Sequence, residues 1–505
     1  MTTTSSTTTG TAGRTEPIRP LRLSEVTHWD METDVAIVGF GGAGACAAIE
    51  AADAGSEVMI FELASAAGGS TALSSAEIYM GGNGGTRVQR ACGFEDRTED
   101  MFNYLMAAAG PQADEAKIRA YVDGSLEHFD WLVSLGVPFK DSFHEERAIM
   151  ALTDDCLLYT GNEKAWPFNQ LAKPCPRGHN LQIEGDNGGP LLIRILTEQI
   201  EQRERIAVHY EARTLTLITD EAGSVHGMVV RIDQQERTVR ARQGVILCAG
   251  GFAMNEEMLS KHAPDLHRNA MAIGNPGDTG SGILMGLGAG GHAINMHEGF
   301  VSLPYYPPAS LTFGILVNDK GQRFINEDCY HGRVGWHARQ QPGDRIYLVA
   351  SVEDYGDYET VSYLGAGIAG TGETIEELEQ ELELPPGTLA HTLRYYNEHA
   401  AQGEDPLFHK AAEYLKPMTA PYVALDCTPG RGAFYPFFTL GGLDTLPSGE
   451  VVTALREPIP GLYAAGRTAC GVPRRADGYS SGISVGDATF SGRAAGRAVA
   501  AAARR

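Results

Sequence analysis

The feature that most constrains the fold is residues 34–62, DVAIVGFGGAGACAAIEAADAGSEVMIFE. A short apolar run, a glycine pattern of the form GxGxxG, a run of small residues and a second apolar run follow one another, and the segment ends in Glu62. This order predicts a strand, a tight turn, a helix and a second strand, the βαβ unit that binds dinucleotides. Glycines let the backbone approach a pyrophosphate at the helix N-terminus, and the terminal acid accepts ribose hydroxyls. The predicted contacts are Gly39, Gly41, Gly42, Ala43, Gly44 and Glu62.

The same glycine pattern occurs twice more, as GLGAGG at residues 286–291 and as GAGIAG at residues 365–370. The first follows a helix-like segment, and the second is followed by a break before the next helical pattern. Neither copy has a strand, a turn, a helix and a distal acid in order, so neither is predicted to bind a second nucleotide. We expect a helix cap or a tight loop at both places.

Charge and cysteine content exclude several kinds of partner. The formal net charge of -24 disfavours nucleic acid phosphates and anionic lipid. The eight cysteines include no CxxC pair and no Cys/His cluster at ligand spacing, so we expect no metal site, no disulfide framework and a cytoplasmic location. No apolar stretch reaches about 18 residues, so no membrane span is predicted. The start is rich in Thr, Ser and Gly, which predicts a disordered or extended segment over residues 1–30.

Further glycine-rich segments extend the dinucleotide pattern along most of the chain. They are ELASAAGGSTALSS (62–75), GVILCAGGF (244–252), GDTGSGI (277–283), TLGGLDT (439–445), PIPGLYAAGR (458–467) and SGISVGDATFSGRAAG (481–496). In this order they resemble the fumarate reductase and ketosteroid dehydrogenase flavoprotein superfamily. The resemblance implies FAD as the cofactor. It adds as cofactor contacts Gly69, Ser70, Thr71, Ala249, Gly250, Asp278, Gly466, Ile483 and Ser484.

Two departures from the superfamily pattern refine this prediction. Relatives that attach FAD covalently carry a histidine just beyond the glycine pair, whereas residues 70–74 here read STALS. The flavin is therefore predicted to be noncovalent. After GLYAAG, many relatives have an acid or amide that bonds the ribityl chain, and Arg467 stands there in this chain.

The resemblance also implies an architecture. We expect an α/β fold with a Rossmann-like FAD-binding domain of the glutathione reductase type and an inserted α+β catalytic or cap domain. The FAD-binding domain is predicted at residues 31–300 and 431–505, and the insert at residues 301–430. Residues 206–241 read as a run of short strands, and residues 374–410 alternate apolar and acidic positions at helical spacing, which predicts cap helices.

Aromatic residues replace the carboxylate-binding groups of the dicarboxylate enzymes in the superfamily. Those enzymes place an arginine just after an RFxNE segment and a histidine just before a TxGG turn. In this chain Tyr330 and His331 follow RFINE, and Phe438 precedes the turn. Aromatic side chains suit an apolar substrate instead. Those that suggest a hydrophobic slot, with core packing as the alternative for each, are Tyr305, Tyr306, Phe434, Tyr435, Phe437 and Phe438.

The ketosteroid dehydrogenase branch is the better match. Its members desaturate the ring next to a C3 ketone with two tyrosines, whose positions Tyr330 and Tyr479 hold here. Ser481, two residues after Tyr479, resembles the enzymes that form the 4-ene from 5α-reduced 3-ketosteroids. The predicted function is FAD-dependent introduction of the C4–C5 double bond into 3-keto-5α-steroids, with an unidentified electron acceptor. The alternatives are a ketosteroid 1-dehydrogenase, an enoate reductase for an acid such as fumarate or urocanate, a flavin monooxygenase and a noncatalytic flavin protein.

These residues predict a mechanism. Tyr479, helped by a backbone N–H near Gly482, would stabilise the enolate oxygen that forms at the ketone. Tyr330 and Ser481 would act as base and relay for the α-proton while a hydride leaves for flavin N5. A tyrosine is a poor base at neutral pH, so Tyr330 would need a partner that lowers its pKa. The alternative is that these hydroxyls only cap a helix or make structural hydrogen bonds. The predicted substrate contacts are Tyr479, Gly482, Phe438 and Tyr305.

Overall fold

A computed structural model describes residues 15–268 and 270–502. The part of the predicted N-terminal segment before residue 15 lies outside the described residues. Residues 15–30 are mostly extended and include a two-residue strand that pairs with the main sheet.

Five sheets contain the strands of the described residues. In chain order the strands are β1 (Leu21–Arg22), β2 (Met31–Val38), β3 (Val58–Phe61), β4 (Ile78–Tyr79), β5 (Leu157–Leu158), β6 (Gly178–His179), β7 (Ile206–His209), β8 (Arg213–Thr219), β9 (Val225–Ile232), β10 (Gln235–Leu247), β11 (Met271–Ala272), β12 (Ala293–Ile294), β13 (Gly299–Val301), β14 (Ile315–Asn318), β15 (Ile346–Ser351), β16 (Ile368–Gly372), β17 (Tyr422–Asp426), β18 (Pro436–Thr439), β19 (Gly442–Leu443), β20 (Glu450–Val452) and β21 (Pro458–Ala464).

Helices cover the sheets, and five of them lie between β4 and β7. In chain order the α-helices are α1 (Gly42–Asp53), α2 (Arg87–Ala91), α3 (Thr98–Ala109), α4 (Glu115–Ser134), α5 (Phe168–Leu171), α6 (Gly188–Glu201), α7 (Glu256–His262), α8 (Pro264–His267), α9 (Ser281–Gly288), α10 (His331–Arg339), α11 (Val352–Tyr355), α12 (Tyr358–Val361), α13 (Ile375–Glu381), α14 (Thr388–Ala400) and α15 (Ile483–Ala502).

The main sheet has nine strands and is built around the predicted βαβ unit. Strands β7, β3, β2, β10 and β21 are parallel neighbours in that order. Strands β8, β9 and the first half of β10 form an antiparallel extension, as the run of short strands over residues 206–241 predicts. β2 is buried on both faces at its end: Val35 and Ile37 pack in the apolar cluster that contains α1 and α15, and Ala36 and Val38 pack in the cluster that contains β9 and α9. In an open α/β sheet of this kind, ligands bind beyond the carboxyl ends of the parallel strands.

The glycine turn after β2 explains why only glycine fits the first and last positions of the GxGxxG pattern. Gly39 has a φ of +101°, a backbone conformation that side chains disfavour. A Cβ atom on Gly44 would lie 2.0 Å from the carbonyl oxygen of Gly39. The turn therefore brings the start of α1 directly against the end of β2.

The other two glycine patterns have different structures. Residues 286–291 contain the end of α9, and Gly290 there has a φ of +94°, so this copy is a helix end as predicted. Residues 365–370 contain a turn at Gly365, with a φ of +66°, and then enter β16. Neither copy forms a strand, turn and helix unit.

A second antiparallel sheet, β14-β15-β17-β16, lies between residues 315 and 426. Helices α13 and α14, which occupy the region predicted as cap helices, pack on it through a separate apolar cluster. A small sheet joins β11, β18 and β13. β11 and all but the last residue of β13 lie in the predicted first part of the FAD-binding domain, and β18 lies in its second part, so this sheet joins the two parts. The exact domain boundaries stay a prediction.

Candidate active site

A cavity of about 880 Å³ opens beyond the carboxyl ends of β2, β3, β10 and β21. This volume lies near the upper end of the roughly 300–1,000 Å³ range of ligand pockets. The predicted cofactor residues that line it are Gly39, Gly41, Gly42, Ala43, Glu62, Gly69, Ser70, Thr71, Ala249, Gly250, Asp278, Gly466 and Ser484. Gly44 and Ile483 lie behind this lining, in the first turns of α1 and α15.

The nucleotide end of the cavity is made mostly of backbone. Gly41 and Gly69 face each other so closely that a Cβ atom on Gly69 would lie 3.4 Å from the Cα atom of Gly41. Glu62, at the tip of β3, accepts hydrogen bonds from the backbone N–H groups of Phe40 (2.7 Å) and Ala64 (2.8 Å). A trough of glycines at a helix N-terminus beside a fixed carboxylate fits the pyrophosphate and ribose of FAD.

Arg467 stands where many members of the superfamily have an acid or amide, and its side chain makes contacts within the protein. Its Nη1 atom lies 2.6 Å from Oδ2 of Asp278, and its Nη2 atom donates to Oγ of Ser70 at 2.8 Å. Asp278 also accepts a hydrogen bond from the N–H of Gly251. This arginine therefore joins three of the predicted FAD-binding segments.

The substrate end of the cavity is made of side chains. Tyr479, Ser481, Gly482 and Phe438 line it, together with Phe300 and Phe434. Tyr330 lies directly behind Ser481, and its hydroxyl is 2.8 Å from Ser481 Oγ. The Tyr479 hydroxyl donates to Ser484 Oγ at 2.8 Å. The structure thus brings together the three predicted catalytic residues, and their catalytic roles stay a prediction.

Aromatic rings close the substrate end. The ring of Phe300 lies 4.7 Å from that of Tyr479 and 4.9 Å from that of Phe438, measured between centroids. Phe300 was not singled out in the sequence, since an isolated phenylalanine in a short strand carries no signal. Tyr305 does not reach the cavity, because its buried hydroxyl donates to the carbonyl of Glu327. Tyr306, Tyr435 and Phe437 are likewise buried in the core and do not line the cavity.

Backbone hydrogen bonds fix the loop that carries Tyr479 and Ser481. The N–H of Ser481 donates to the carbonyl of Thr160, and the Thr160 hydroxyl donates back to the carbonyl of Ser481. The next residue, Gly482, has a φ of +86°, and its carbonyl accepts a hydrogen bond from the N–H of Tyr79. A Cβ atom on Gly482 would lie 3.0 Å from that nitrogen, so a larger residue would push the loop away from β4.

A buried chain of hydrogen bonds connects the two tyrosine-bearing segments. The Tyr104 hydroxyl lies 2.7 Å from Ser480 Oγ and accepts from the N–H of Asn162. The side-chain oxygen of Asn162 in turn accepts from the N–H of Tyr330. Tyr104 and Asn162 come from segments that the sequence analysis did not connect with the site, because only the fold brings them there.

Burial keeps Tyr330 and Tyr479 neutral. Desolvation raises the pKa of Tyr330 well above its usual value, and the hydrogen bond to Ser481 lowers it by less. Desolvation raises the pKa of Tyr479 as well, again against the effect of its bond to Ser484. A buried, protonated tyrosine is a good hydrogen-bond donor and a poor base. Tyr479 therefore suits the ketone oxygen, and Tyr330 suits a relay better than an anionic base.

Two features of the described residues concern disulfides, metal sites and membrane spans. The eight cysteines are all free, and no group of three or more His, Cys, Asp or Glu side chains in this part of the chain could hold a metal ion. None of the described helices has the length and apolar character needed to span a membrane.

Comparison with known proteins identifies the family. Residues 34–482 match the family described as FAD binding domain. The chain belongs to this family. FAD is thus its cofactor, as predicted, and the mixed α/β fold with an inserted domain is the fold of the family.

The chain is also similar to individual enzymes along most of its length. Its sequence is 43% identical to that of 3-ketosteroid-Δ4-(5α)-dehydrogenase from Rhodococcus jostii RHA1, whose crystal structure is in complex with 4-androstene-3,17-dione. The two structures have a TM-score of 0.90, and the match covers 96% of this chain and 100% of that one. The chain is 24% identical over 499 residues to 3-oxo-5-alpha-steroid 4-dehydrogenase of Comamonas testosteroni (87% of this chain, 93% of the relative). It is 26% identical over 480 residues to a fumarate reductase (cytochrome) of Shewanella frigidimarina (92% and 77%). These relatives confirm the predicted resemblance and make the chain an FAD-dependent oxidoreductase.

Proposed function

We propose that this protein introduces the C4–C5 double bond into 3-keto-5α-steroids. The observation that carries the proposal is the meeting of Tyr330, Ser481 and Tyr479 at the aromatic end of an FAD-binding cavity. A 43% identical enzyme whose solved complex contains 4-androstene-3,17-dione supports the same substrate class. The unpaired state of all eight cysteines supports a reducing compartment such as the cytoplasm.

The side chains of the site account for the first half of the reaction. The neutral Tyr479 hydroxyl, which donates to Ser484 Oγ in the structure, turns its proton to the C3 oxygen when the ketone binds. There it stabilises the negative charge that develops as the α-proton leaves. Ser481 and Tyr330 form the hydroxyl pair that takes this proton from C4. The rings of Phe300 and Phe438 bind the apolar rings of the substrate and exclude water. FAD, when bound, accepts the hydride from C5.

A dicarboxylate substrate fits the cavity less well. The arginines among the described residues that line it are Arg213 and Arg467. Arg467 is held by Asp278 and Ser70, and Arg213 follows Ala212, whose N–H donates to the carbonyl of Glu62 at the nucleotide end. The Arg467 guanidinium reaches the substrate end, 5.6 Å from the centre of the Phe438 ring. Its pairing with Asp278 neutralises its charge, so it is a weaker partner for a substrate carboxylate than an unpaired arginine would be.

The test is anaerobic mixing of the purified holoprotein with 5α-androstane-3,17-dione and, separately, with 4-androstene-3,17-dione. We expect the first steroid to bleach the flavin and yield the 4-ene, and the second to leave the flavin oxidised. Bleaching by the second steroid would instead indicate a 1-dehydrogenase. Bleaching by neither steroid, together with reoxidation of the reduced flavin by fumarate, would favour an enoate reductase.

A further inference from the structure

The proposed reaction leaves one question about this site: where the α-proton goes. Ser481 and Tyr330 can pass a proton along, but neither can hold it, because both hydroxyls are neutral and an added proton would place a positive charge beside the buried Tyr330. Tyr330 makes its side-chain hydrogen bond back to Ser481. A third group has to accept the proton if the pair is to return to its starting state.

Four acids line the cavity within the described residues: Glu62, Glu77, Asp186 and Asp278. Glu62 is hydrogen-bonded to two backbone N–H groups at the nucleotide end. Asp278 is paired with Arg467. Asp186 is exposed. Glu77 is therefore the buried acid on this lining that has no structural ion pair or backbone contact to explain it.

Glu77 lies directly beside the catalytic loop. It is 3% exposed and immediately precedes β4, whose Tyr79 N–H donates to the carbonyl of Gly482. A Cβ atom on Gly482 would lie 3.2 Å from the Cβ atom of Glu77, so the two backbones are in contact. The Oε1 atom of Glu77 is buried without a hydrogen-bond partner among the described residues. A buried carboxyl oxygen without a partner is costly and calls for a functional explanation.

We propose that Glu77 accepts the α-proton of the substrate through Ser481. The inference rests on the proposed function. The C4–H bond breaks and its proton moves to Ser481 Oγ while the Ser481 proton moves to the Glu77 carboxylate. The electron pair of the broken bond forms the enolate and then the C4–C5 double bond as C5 gives its hydride to FAD. Glu77 ends the step as a neutral carboxylic acid and acts through Ser481 rather than on the substrate.

The electrostatic surroundings of Glu77 suit a reversible proton acceptor. Desolvation raises the pKa of Glu77 to about 8, and the negative charges of Asp186 and Glu163 add to this increase, while hydrogen bonding to Ser481 opposes it. Tyr330 and Tyr479 also face Glu77 and are neutral. An acceptor must start as the carboxylate, so the reaction should speed up as pH rises through this value. Asp186, whose charge acts on Glu77, is exposed and is the neighbouring acid that can pass the proton to solvent.

The test measures the rate of flavin bleaching in a single turnover with 5α-androstane-3,17-dione between pH 6 and pH 10. We expect the wild-type rate to rise with pH around a midpoint near 8. E77Q keeps the size of the side chain without the proton acceptor, and we expect a fall of about 100-fold at the high-pH plateau and a flat profile. E77D keeps a carboxylate and should retain the rise with pH at a reduced rate. E376Q, the same change on the exposed face of α13, should match the wild type.

The outcomes separate this inference from the proposed function. FAD content and the absorption spectrum of the oxidised flavin check that E77Q is folded and loaded. A slow E77Q that keeps the wild-type pH profile would make Glu77 a structural residue and overturn the inference. A fully active E77Q would overturn it as well. If the steroid fails to bleach the wild-type flavin, the proposed function falls and this inference falls with it.

Discussion

The two ends of the cavity are built by different means. The nucleotide end uses backbone groups and glycines from β2, α1 and the loop at residues 68–71, which lie within about 40 residues of one another. The substrate end uses the side chains of Phe300, Tyr330, Phe438 and Tyr479, from four segments spread over about 180 residues. A backbone site of this kind is set by local turn geometry. A side-chain site exists only once the whole chain has folded.

The two ends of the cavity should respond differently to amino-acid substitutions. At the substrate end, the loss of one hydroxyl removes a group that acts on the reacting atoms, and no neighbour replaces it. At the nucleotide end, many backbone contacts share the binding of one large cofactor, so a single change weakens binding without abolishing the chemistry. Substitutions at the two ends should therefore separate turnover from FAD affinity.

The largest separation is expected for Tyr479→Phe. The change removes the hydroxyl that donates to the ketone oxygen and leaves the aromatic ring against Phe300. Because loss of one such donor costs roughly 100- to 1,000-fold in rate, we expect turnover to fall by that amount. FAD content should stay within about twofold, because flavin binding is shared among many backbone groups. Steady-state turnover with 5α-androstane-3,17-dione and the ratio of flavin to protein absorbance check both parts.

The matched control for Tyr479→Phe is Tyr396→Phe. Tyr396 is a buried tyrosine on α14, and its hydroxyl donates to the carbonyl of Phe313, away from the cavity. Tyr396→Phe removes the same hydroxyl group from a similarly buried ring, and turnover should stay close to that of the wild type. If Tyr479→Phe kept its turnover, the assignment of this hydroxyl to the ketone oxygen would be wrong.

The contrast between the two ends also explains what the sequence could predict. The βαβ unit, the FAD segments and the mixed α/β fold were predictable because their glycines are required by local geometry, as at Gly39 and Gly44. Tyr330, Tyr479 and Ser481 were identified through a family resemblance, and the structure brings them together. Tyr305 was placed in the substrate slot, but burial of its hydroxyl in the core takes it away from the cavity.

Residues that only the fold connects could not be predicted. Phe300 reaches the cavity because β13 pairs with β18, which carries Phe438. Glu77 faces Ser481 because the segment before β4 packs on the loop before α15. Nothing in the spacing of these residues along the chain indicates either contact, and neither belongs to a motif.

Glu62→Gln is expected to have a smaller effect and the reverse pattern: FAD binding weakens while the rate of flavin bleaching stays the same. The amide keeps one acceptor oxygen but loses the charge that strengthens the bonds to Phe40 N–H and to a ribose hydroxyl. A hydrogen bond to a charged group is worth about 1–1.5 kcal/mol more than one to a neutral group, so FAD affinity should fall about tenfold. At saturating FAD, the rate of flavin bleaching by steroid should equal that of the wild type. Equilibrium titration of the apoprotein with FAD measures the affinity, and a reduced bleaching rate at saturation would contradict the separation.

A fall in turnover much smaller than that of Tyr479→Phe is expected for Tyr104→Phe, which tests the hydrogen-bond chain between the two tyrosine-bearing segments. The change leaves the Asn162 N–H and the Ser480 hydroxyl without this buried partner, at a cost of about 1–3 kcal/mol in the free energy of unfolding. Tyr104 touches neither reacting atoms nor FAD, so turnover should fall only about three- to tenfold through misplacement of Tyr330 and Ser481. Chemical denaturation and single-turnover bleaching measure the two effects. Tyr396→Phe should show a loss of stability without the fall in turnover. Equal turnover in both variants would mean that the hydrogen bonds of Tyr104 support the fold but do not position the site.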